Sequence, residues 1–180
     1  MKPLLIGWVS RAGKSTLSRL LAQKYNLNRV PLDPLLTTFE HIYPEHGIGH
    51  KGEHTQLCKI FAPFLTKFLE ELLYEWSDFI VESYHFLPSL LSKEIREKYR
   101  IIILWYPDVS VEEKFADIRQ HDGDDRTSDV DDVTLKEYIQ SFITQSKTYC
   151  DECLDYNIPF IDVSKNLPQT VKGSCEGFVL

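Results

Sequence analysis

The 180-residue sequence has no apolar run approaching the ~18–20 residues that a membrane-spanning helix needs, so no membrane partner is expected. Cysteine is scarce. Four cysteines make no disulfide framework, and a cytoplasmic, reducing compartment is the expected setting. A basic excess is also missing: the net charge of −7 argues against a broad nucleic-acid footprint. Lys2 and the few apolar residues after it are too short for a signal peptide. No internal repeat or low-complexity linker divides the chain. What is there is 43% hydrophobic and 12% aromatic, the composition of a globular protein with a real core. One domain over residues 1–180 is expected, as a monomer or homodimer.

Residues 4–17 organise the rest. They read Leu-Leu-Ile-Gly-Trp-Val-Ser-Arg-Ala-Gly-Lys-Ser-Thr-Leu. An apolar run ends at a glycine, a short loop follows, and Gly13-Lys14-Ser15-Thr16 opens a helix, the context of a Walker A P-loop. Backbone N–H groups over Ser10, Arg11, Ala12 and Gly13 would wrap a polyphosphate, and the helix N-terminus would add partial positive charge. Gly13 lets the backbone approach without a Cβ. Lys14 would reach the β- and γ-phosphates, Ser15 would place a hydroxyl on Mg²⁺, and Thr16 belongs to the first helical turn. The motif departs at one place. Glycine is expected six residues before the lysine, where Trp8 stands, with Gly7 one residue earlier. Either the turn starts at Gly7, or Trp8 takes a backbone geometry that needs no positive φ.

Hydrophobic periodicity lays out the remainder. Strands are expected over 3–7, 29–32, 78–83, 101–105 and 159–163. Helices are expected over 14–25, 34–42, 55–76, 88–99 and 110–119, with another from Thr134 onward. Pro34 disfavours helix at Asp33, which is therefore expected at a strand end. Pro63 is expected to kink the 55–76 helix or start a second one. Ser110/Glu113 and Thr134/Glu137 match capping boxes. Residues 43–54, with three glycines and His46, His50 and His54, read as a substrate-facing loop. The tail from Lys165 carries weak signals. Alternating strands and helices predict an α/β fold, a three-layer sandwich of the P-loop NTPase type around a mostly parallel five-stranded sheet. Ligands bind such sheets at the carboxyl ends of the strands, where Gly7, Asp33, Glu82 and Pro107 fall.

The chain resembles the P-loop small-molecule kinases of the adenylate kinase, shikimate kinase and nucleoside kinase group. The P-loop carries most of the resemblance. Asp33 matches an acidic residue after the second strand in that group. Val81-Glu82-Ser83-Tyr84-His85-Phe86-Leu87-Pro88 is similar to a Glu-Gly-x-His-x-x-Pro stretch of hydroxyl-directed kinases, with Ser83 replacing glycine. Arg119 and Arg126, flanking a polar segment, resemble lid arginines that close over ATP, which implies a small lid at about 119–133. The resemblance implies an ATP- and Mg²⁺-dependent phosphotransferase acting on a small-molecule acceptor. Lys14, Arg119 and Arg126 would neutralise charge. Asp33 or Glu82 would orient the acceptor hydroxyl and take its proton. No Walker B aspartate ends the third strand, so Glu82 could instead hold Mg²⁺ through water. Each has a plainer alternative: Asp33 as a turn residue, Glu82 paired with a nearby lysine, Arg126 paired with the aspartates around it.

Nucleoside monophosphate kinases grip the acceptor phosphate with arginines after the second and third strands. Here no arginine lies between Arg29 and Arg96. A hydroxyl acceptor such as a nucleoside, sugar or polyol is therefore expected ahead of a nucleoside monophosphate. A GTPase switch would need an Asn-Lys-x-Asp motif, which Ser164-Lys165-Asn166 does not supply. A nucleotide-binding regulator without turnover is the other reading, motivated by Trp8. Cys150 and Cys153 are spaced as Cys-x-x-Cys, but only isolated Cys58 and Cys175 remain as further sulfur ligands, so ordinary thiols are expected rather than zinc.

Overall fold

The computed structural model describes residues 2–7, 9–75, 78–120 and 129–177. Five strands form one sheet: β1 (Leu4–Gly7), β2 (Asn28–Pro31), β3 (Phe79–Ser83), β4 (Arg100–Trp105) and β5 (Phe160–Asp162). Their order is β2-β3-β1-β4-β5. Every pairing is parallel, so the sheet is all-parallel rather than mostly so. The helices among the described residues are α1 (Lys14–Tyr25), α2 (Asp33–Ile42), α3 (His54–Glu75), α4 (Lys93–Lys98), α5 (Val111–Gln120), α6 (Asp132–Asp155) and α7 (Leu167–Gly177).

A parallel sheet covered by helices on both faces needs strands that are apolar on both sides. β1 and β3 are buried at every residue, and β4 at all but Arg100. Glu82 and Ser83 are the exceptions to that chemistry, and they end β3. β2 lies at an edge, which is where a strand tolerates Pro31. The register sets Ile6 of β1 beside both Glu82 and Ile102, and Pro31 of β2 on the far side of Glu82. The carboxyl ends of β1, β2 and β3 therefore finish level, with Gly7, Asp33 and Ser83 along one edge.

Several local expectations change on folding. Asp33 is the first residue of α2, not a strand end. Leu32 already has right-handed helical angles and accepts the first helical bond, from the Leu36 N–H at 2.9 Å. Pro34 sits in the first turn, where its missing N–H is harmless, and this outweighs the pre-proline preference at Asp33. α3 runs through Pro63 as one helix. Its stripe Leu57, Phe61, Leu65, Leu69 and Leu72 is buried on both sides of the proline, and that packing offsets one missing helical bond. The expected 88–99 helix divides. A 3₁₀ turn at Pro88–Leu90 ends in extended Leu91, and Ser92 caps α4 by accepting the Ile95 N–H at 3.2 Å. The Ser110–Glu113 capping box forms as expected, with N–H bonds in both directions. The second box does not. Asp131 caps α6 instead, accepting from Val133 and Thr134 at 3.1 and 3.0 Å, so the helix begins before Thr134. The tail forms α7, which packs on α1 through buried Val171 and Cys175. Lys24 Nζ caps its last turn by donating to the Cys175 carbonyl at 2.7 Å.

Candidate active site

The loop between β1 and α1 has the backbone that a phosphate cradle needs. Arg11 and Gly13 both take positive φ, 62° and 83°. Such alternation turns successive N–H groups towards a common centre. The Ala12 N–H is used inside the loop, donating to the Val9 carbonyl at 3.3 Å. Tyr106, wholly buried beyond the end of β4, donates its hydroxyl to the Ser10 carbonyl at 2.7 Å and pins the loop from below. Gly7 does not start a left-handed turn. A Cβ there would lie 2.4 Å from Phe86 Cζ, so its glycine makes room for that ring. Trp8 lies outside the described residues.

Lys14 opens α1 and folds back over the loop, donating Nζ to the Val9 carbonyl at 2.8 Å. Desolvation lowers its ammonium to about 8, opposed by the carboxylates of Asp33 and Glu82. A lysine held this way stays mostly protonated at neutral pH but gives up its proton more readily than a free one. Between about pH 8 and 10.5 the unfolded chain holds this proton and the folded chain does not, so the group adds to stability as pH rises through that window. A bound polyphosphate restores the proton. MgATP binding near pH 8 is therefore expected to take up a fraction of a proton, and almost none at about pH 6.5. Calorimetry in buffers of different ionisation enthalpy measures the uptake. Buffer-independent heats near pH 8 would contradict it.

Ser15 and Thr16 are exposed in the first turn of α1, and the Ser15 hydroxyl makes no hydrogen bond among the described residues. Lys14 and Ser10 line a cleft of about 680 Å³ that reaches Asp33, the 50–52 loop, Tyr84 and one face of α6. Asp33 is exposed in this cleft, and its carboxylate has no hydrogen bond or ion pair among the described residues. Glu82 is placed differently. It is 6% exposed and does not line the cleft. Its Oε1 pairs with Arg29 and its Oε2 accepts from the Ser18 hydroxyl at 2.7 Å, while Arg29 Nε donates to the same hydroxyl at 2.8 Å. The partner is thus an arginine across the sheet, where the sequence offered a lysine. This triad ties β2, β3 and α1 together behind the P-loop. Glu82→Gln leaves Arg29 without its counter-charge and is expected to cost about 2–3 kcal/mol, below the full value for a buried pair because Arg29 keeps solvent access. Urea denaturation tests this. Unchanged stability with lost turnover would make Glu82 a chemical group instead.

Arg119 Nη2 donates to the Val130 carbonyl and to Asp132 Oδ1 at 2.6 and 2.7 Å. It joins the end of α5 to the start of α6. Arg126 lies outside the described residues. The 43–54 loop does face the cleft, through His50, Lys51 and Gly52. The His50 N–H donates to Glu40 Oε2 at 3.2 Å, and His50 Nε2 lies 3.2 Å from the Thr37 hydroxyl. His54 is buried at the start of α3, with Nε2 donating to the Tyr84 carbonyl at 3.0 Å. Burial lowers its pKa, and burial pushes His85 behind it down to about 3, with His54, His50 and Lys14 adding to the effect. Both rings are neutral at neutral pH. Among the described residues no three His, Cys, Asp or Glu side chains converge to hold a metal. Cys150 and Cys153 are free thiols on α6, with Cys153 pushed up to about 12 by burial. No described helix is long and apolar enough to cross a membrane.

Sequence reasoning overlooked the α6 face as a wall of the site. Tyr138, Ser141, Phe142 and Gln145 are spaced i, i+3, i+4, i+7 and line the cleft together. Polar Ser141 and Gln145 on the stripe of Tyr138 and Phe142 were the available signal, because a core stripe excludes them. A second cleft, of about 460 Å³, opens beyond the carboxyl ends of β4 and β5. Tyr106, Asp108, Lys114, Ser164 and Asn166 line it. Lys114 is 4% exposed, paired with Asp117 at 2.8 Å.

No family model matches the chain, and no curated protein matches it in sequence. Solved structures do match in fold. The chain is similar to shikimate kinase from Bacteroides thetaiotaomicron, at TM-score 0.59 and 14% identity, covering 97% of this chain and 96% of that one. It is similar to a gluconokinase from Sinorhizobium meliloti 1021, at TM-score 0.57 and 16% identity, covering 97% and 90%. It is also similar to a deoxyadenosine kinase from M. mycoides, at TM-score 0.54 and 12% identity, covering 97% of each. The all-parallel sheet, the P-loop and the helical layers are those of the P-loop small-molecule kinase fold.

Proposed function

We propose that this protein transfers the γ-phosphoryl group of ATP to a hydroxyl group of a small molecule held in the larger cleft. The observation that carries the reading is the pairing of two groups in that one space: Lys14, desolvated beside the loop, and Asp33, a carboxylate with no described partner. The solved shikimate kinase and gluconokinase, as their names state, act on hydroxylated acids, and they share the fold. Because Lys14 faces the larger cleft, the terminal phosphate points there. The nucleoside end of ATP then extends towards the second cleft, over Tyr106 and between Asp108 and Asn166.

The donor set fits a magnesium nucleotide: a hard hydroxyl oxygen on Ser15, next to N–H groups arranged for phosphate. When bound, Mg²⁺ would neutralise phosphate charge. The chain's own groups do the rest. The loop N–H groups and Lys14 hold the β- and γ-phosphates. Asp33 accepts the hydroxyl proton as the acceptor oxygen bonds to phosphorus and the bond from phosphorus to the ADP oxygen breaks, ADP leaving with the electron pair. Glu82, with both oxygens engaged, positions α1 through Ser18. Arg119 joins α5 to α6, and Arg126 is assigned to the charge on the transferring group. The test is ADP release from MgATP across a panel of hydroxyl compounds. Release that requires both Mg²⁺ and one class of acceptor supports the reading. Tight nucleotide binding without acceptor-dependent release would make this a nucleotide-binding protein without turnover. Release with nucleoside monophosphates alone would make it a nucleoside monophosphate kinase.

A further inference from the structure

The walls of the larger cleft narrow the acceptor class, on the premise that the kinase reading above holds. An acidic acceptor needs a cation, and the cleft offers few. Among the described residues its lining holds no arginine. Lys14 is committed to the nucleotide. The Lys51 side chain is 94% exposed and lies 3.7 Å from Glu40 Oε1, so it is a screened, already paired charge. Burial holds His54 neutral.

The opposite wall is flat and amide-bearing. Tyr138 and Phe142 stand one turn apart on α6, and Tyr138 is 48% exposed with no ring partner among the described residues. Tyr84 closes the back of the cleft, edge-on to Phe142 at 6.2 Å. Gln145 stands one turn further along. Its Oε1 accepts from the Tyr84 hydroxyl at 2.9 Å, and its Nε2 donates to the Ser141 hydroxyl at 3.1 Å. These two bonds fix the plane of the carboxamide and leave one N–H and one lone pair in hand. An adjacent donor and acceptor on a fixed plane, beside aromatic rings, is the chemistry that reads the edge of a nucleobase. A sugar or sugar acid presents no aromatic face and no edge on which a donor and an acceptor lie in one plane.

We propose that the acceptor is a nucleoside: an uncharged heterocycle laid against Tyr138 and Phe142, its edge hydrogen-bonded by Gln145, and its sugar hydroxyl turned towards Asp33. Polar Ser141 and Gln145 on an otherwise apolar stripe have this task.

Two measurements on the full chain test it. Calorimetry with adenosine, guanosine, cytidine, uridine and thymidine, and with shikimate, gluconate and glucose, reads binding. MgATP turnover with the same compounds reads chemistry. At least one nucleoside is expected to bind and to be phosphorylated. Gln145→Leu is expected to weaken its binding and raise its KM by about tenfold, the value of one or two lost hydrogen bonds, with the affinity for MgATP unchanged. Phe142→Ala is expected to weaken it by a similar or larger factor through lost stacking. Binding of sugar or sugar acid without binding of any nucleoside would overturn the proposal, as would nucleoside affinity indifferent to Gln145→Leu. The two readings fail separately. Nucleoside binding that depends on Gln145 but gives no transfer would leave this subsite standing and remove the kinase reading. ADP release with shikimate or gluconate alone would do the reverse.

Discussion

Lys14→Ala is expected to lower kcat for phosphoryl transfer by about 10²- to 10³-fold, the range seen when one preorganised charge-stabilising group is removed. The size follows from where the ammonium is. It sits desolvated beside the loop, close enough to Asp33 and Glu82 for both to act on its charge, and among the described residues it donates to the Val9 carbonyl. That bond holds the side chain folded over the place a phosphate takes, so little reorganisation is needed when ATP arrives. Stability should move the other way. A lysine whose pKa is depressed in the fold opposes folding wherever it is protonated, which includes neutral pH. The variant is therefore expected to melt no lower than the parent. Steady-state kinetics and thermal denaturation of the same preparation check both statements. A variant that turns over ATP like the parent would remove the P-loop assignment. One that unfolds would make Lys14 structural.

Asp33→Asn is expected to reduce kcat by about 10²- to 10⁴-fold, the usual contribution of a positioned general base, with KM for MgATP little changed. Two carboxylates stand near the carboxyl edge of the sheet, Asp33 opening α2 and Glu82 in β3, and their surroundings separate their work. Glu82 has both oxygens occupied by Arg29 and Ser18 and is buried behind the P-loop. Asp33 is exposed in the cleft with its oxygens uncommitted among the described residues. Asparagine keeps the shape and loses the ability to take a proton, so the stability of the variant should stay within about 0.5 kcal/mol of the parent. Retained kcat in Asp33→Asn, with kcat abolished in Glu82→Gln at unchanged stability, would exchange the two roles.

Local chemistry was legible in the sequence, and long-range placement was not. The strand–loop–helix of the P-loop is written in adjacent residues, and the helix at 14–25 is the one observed. Buried strands are legible because a parallel sheet demands apolar runs, and Ile101 to Trp105 can be little else. The order β2-β3-β1-β4-β5 has no such local mark. Arg29 meets Glu82 only once β2 lies against β3, a pairing fixed by packing between residues 53 apart in sequence. Tyr138 and Phe142 share one helical face by their four-residue spacing, but periodicity says which side chains share a face and not what the face meets. The same limit hid α7, whose buried stripe is little more than Val171 and Cys175. Where two caps competed, the sequence pattern favoured Thr134, while Asp131 accepts two backbone N–H groups and wins.

Transfer of a phosphoryl group to a hydroxyl is tested most directly by following the phosphorus itself. The full chain would be incubated with Mg²⁺ and γ-labelled ATP in the presence of a pooled set of nucleosides, sugars and sugar acids, and the acceptors analysed by mass spectrometry. Label is expected in one class of hydroxyl compound as a phosphomonoester, equal in amount to the ADP formed, and absent from the Lys14→Ala and Asp33→Asn reactions. Label recovered only as inorganic phosphate, or only in nucleoside diphosphates after addition of monophosphates, would contradict it.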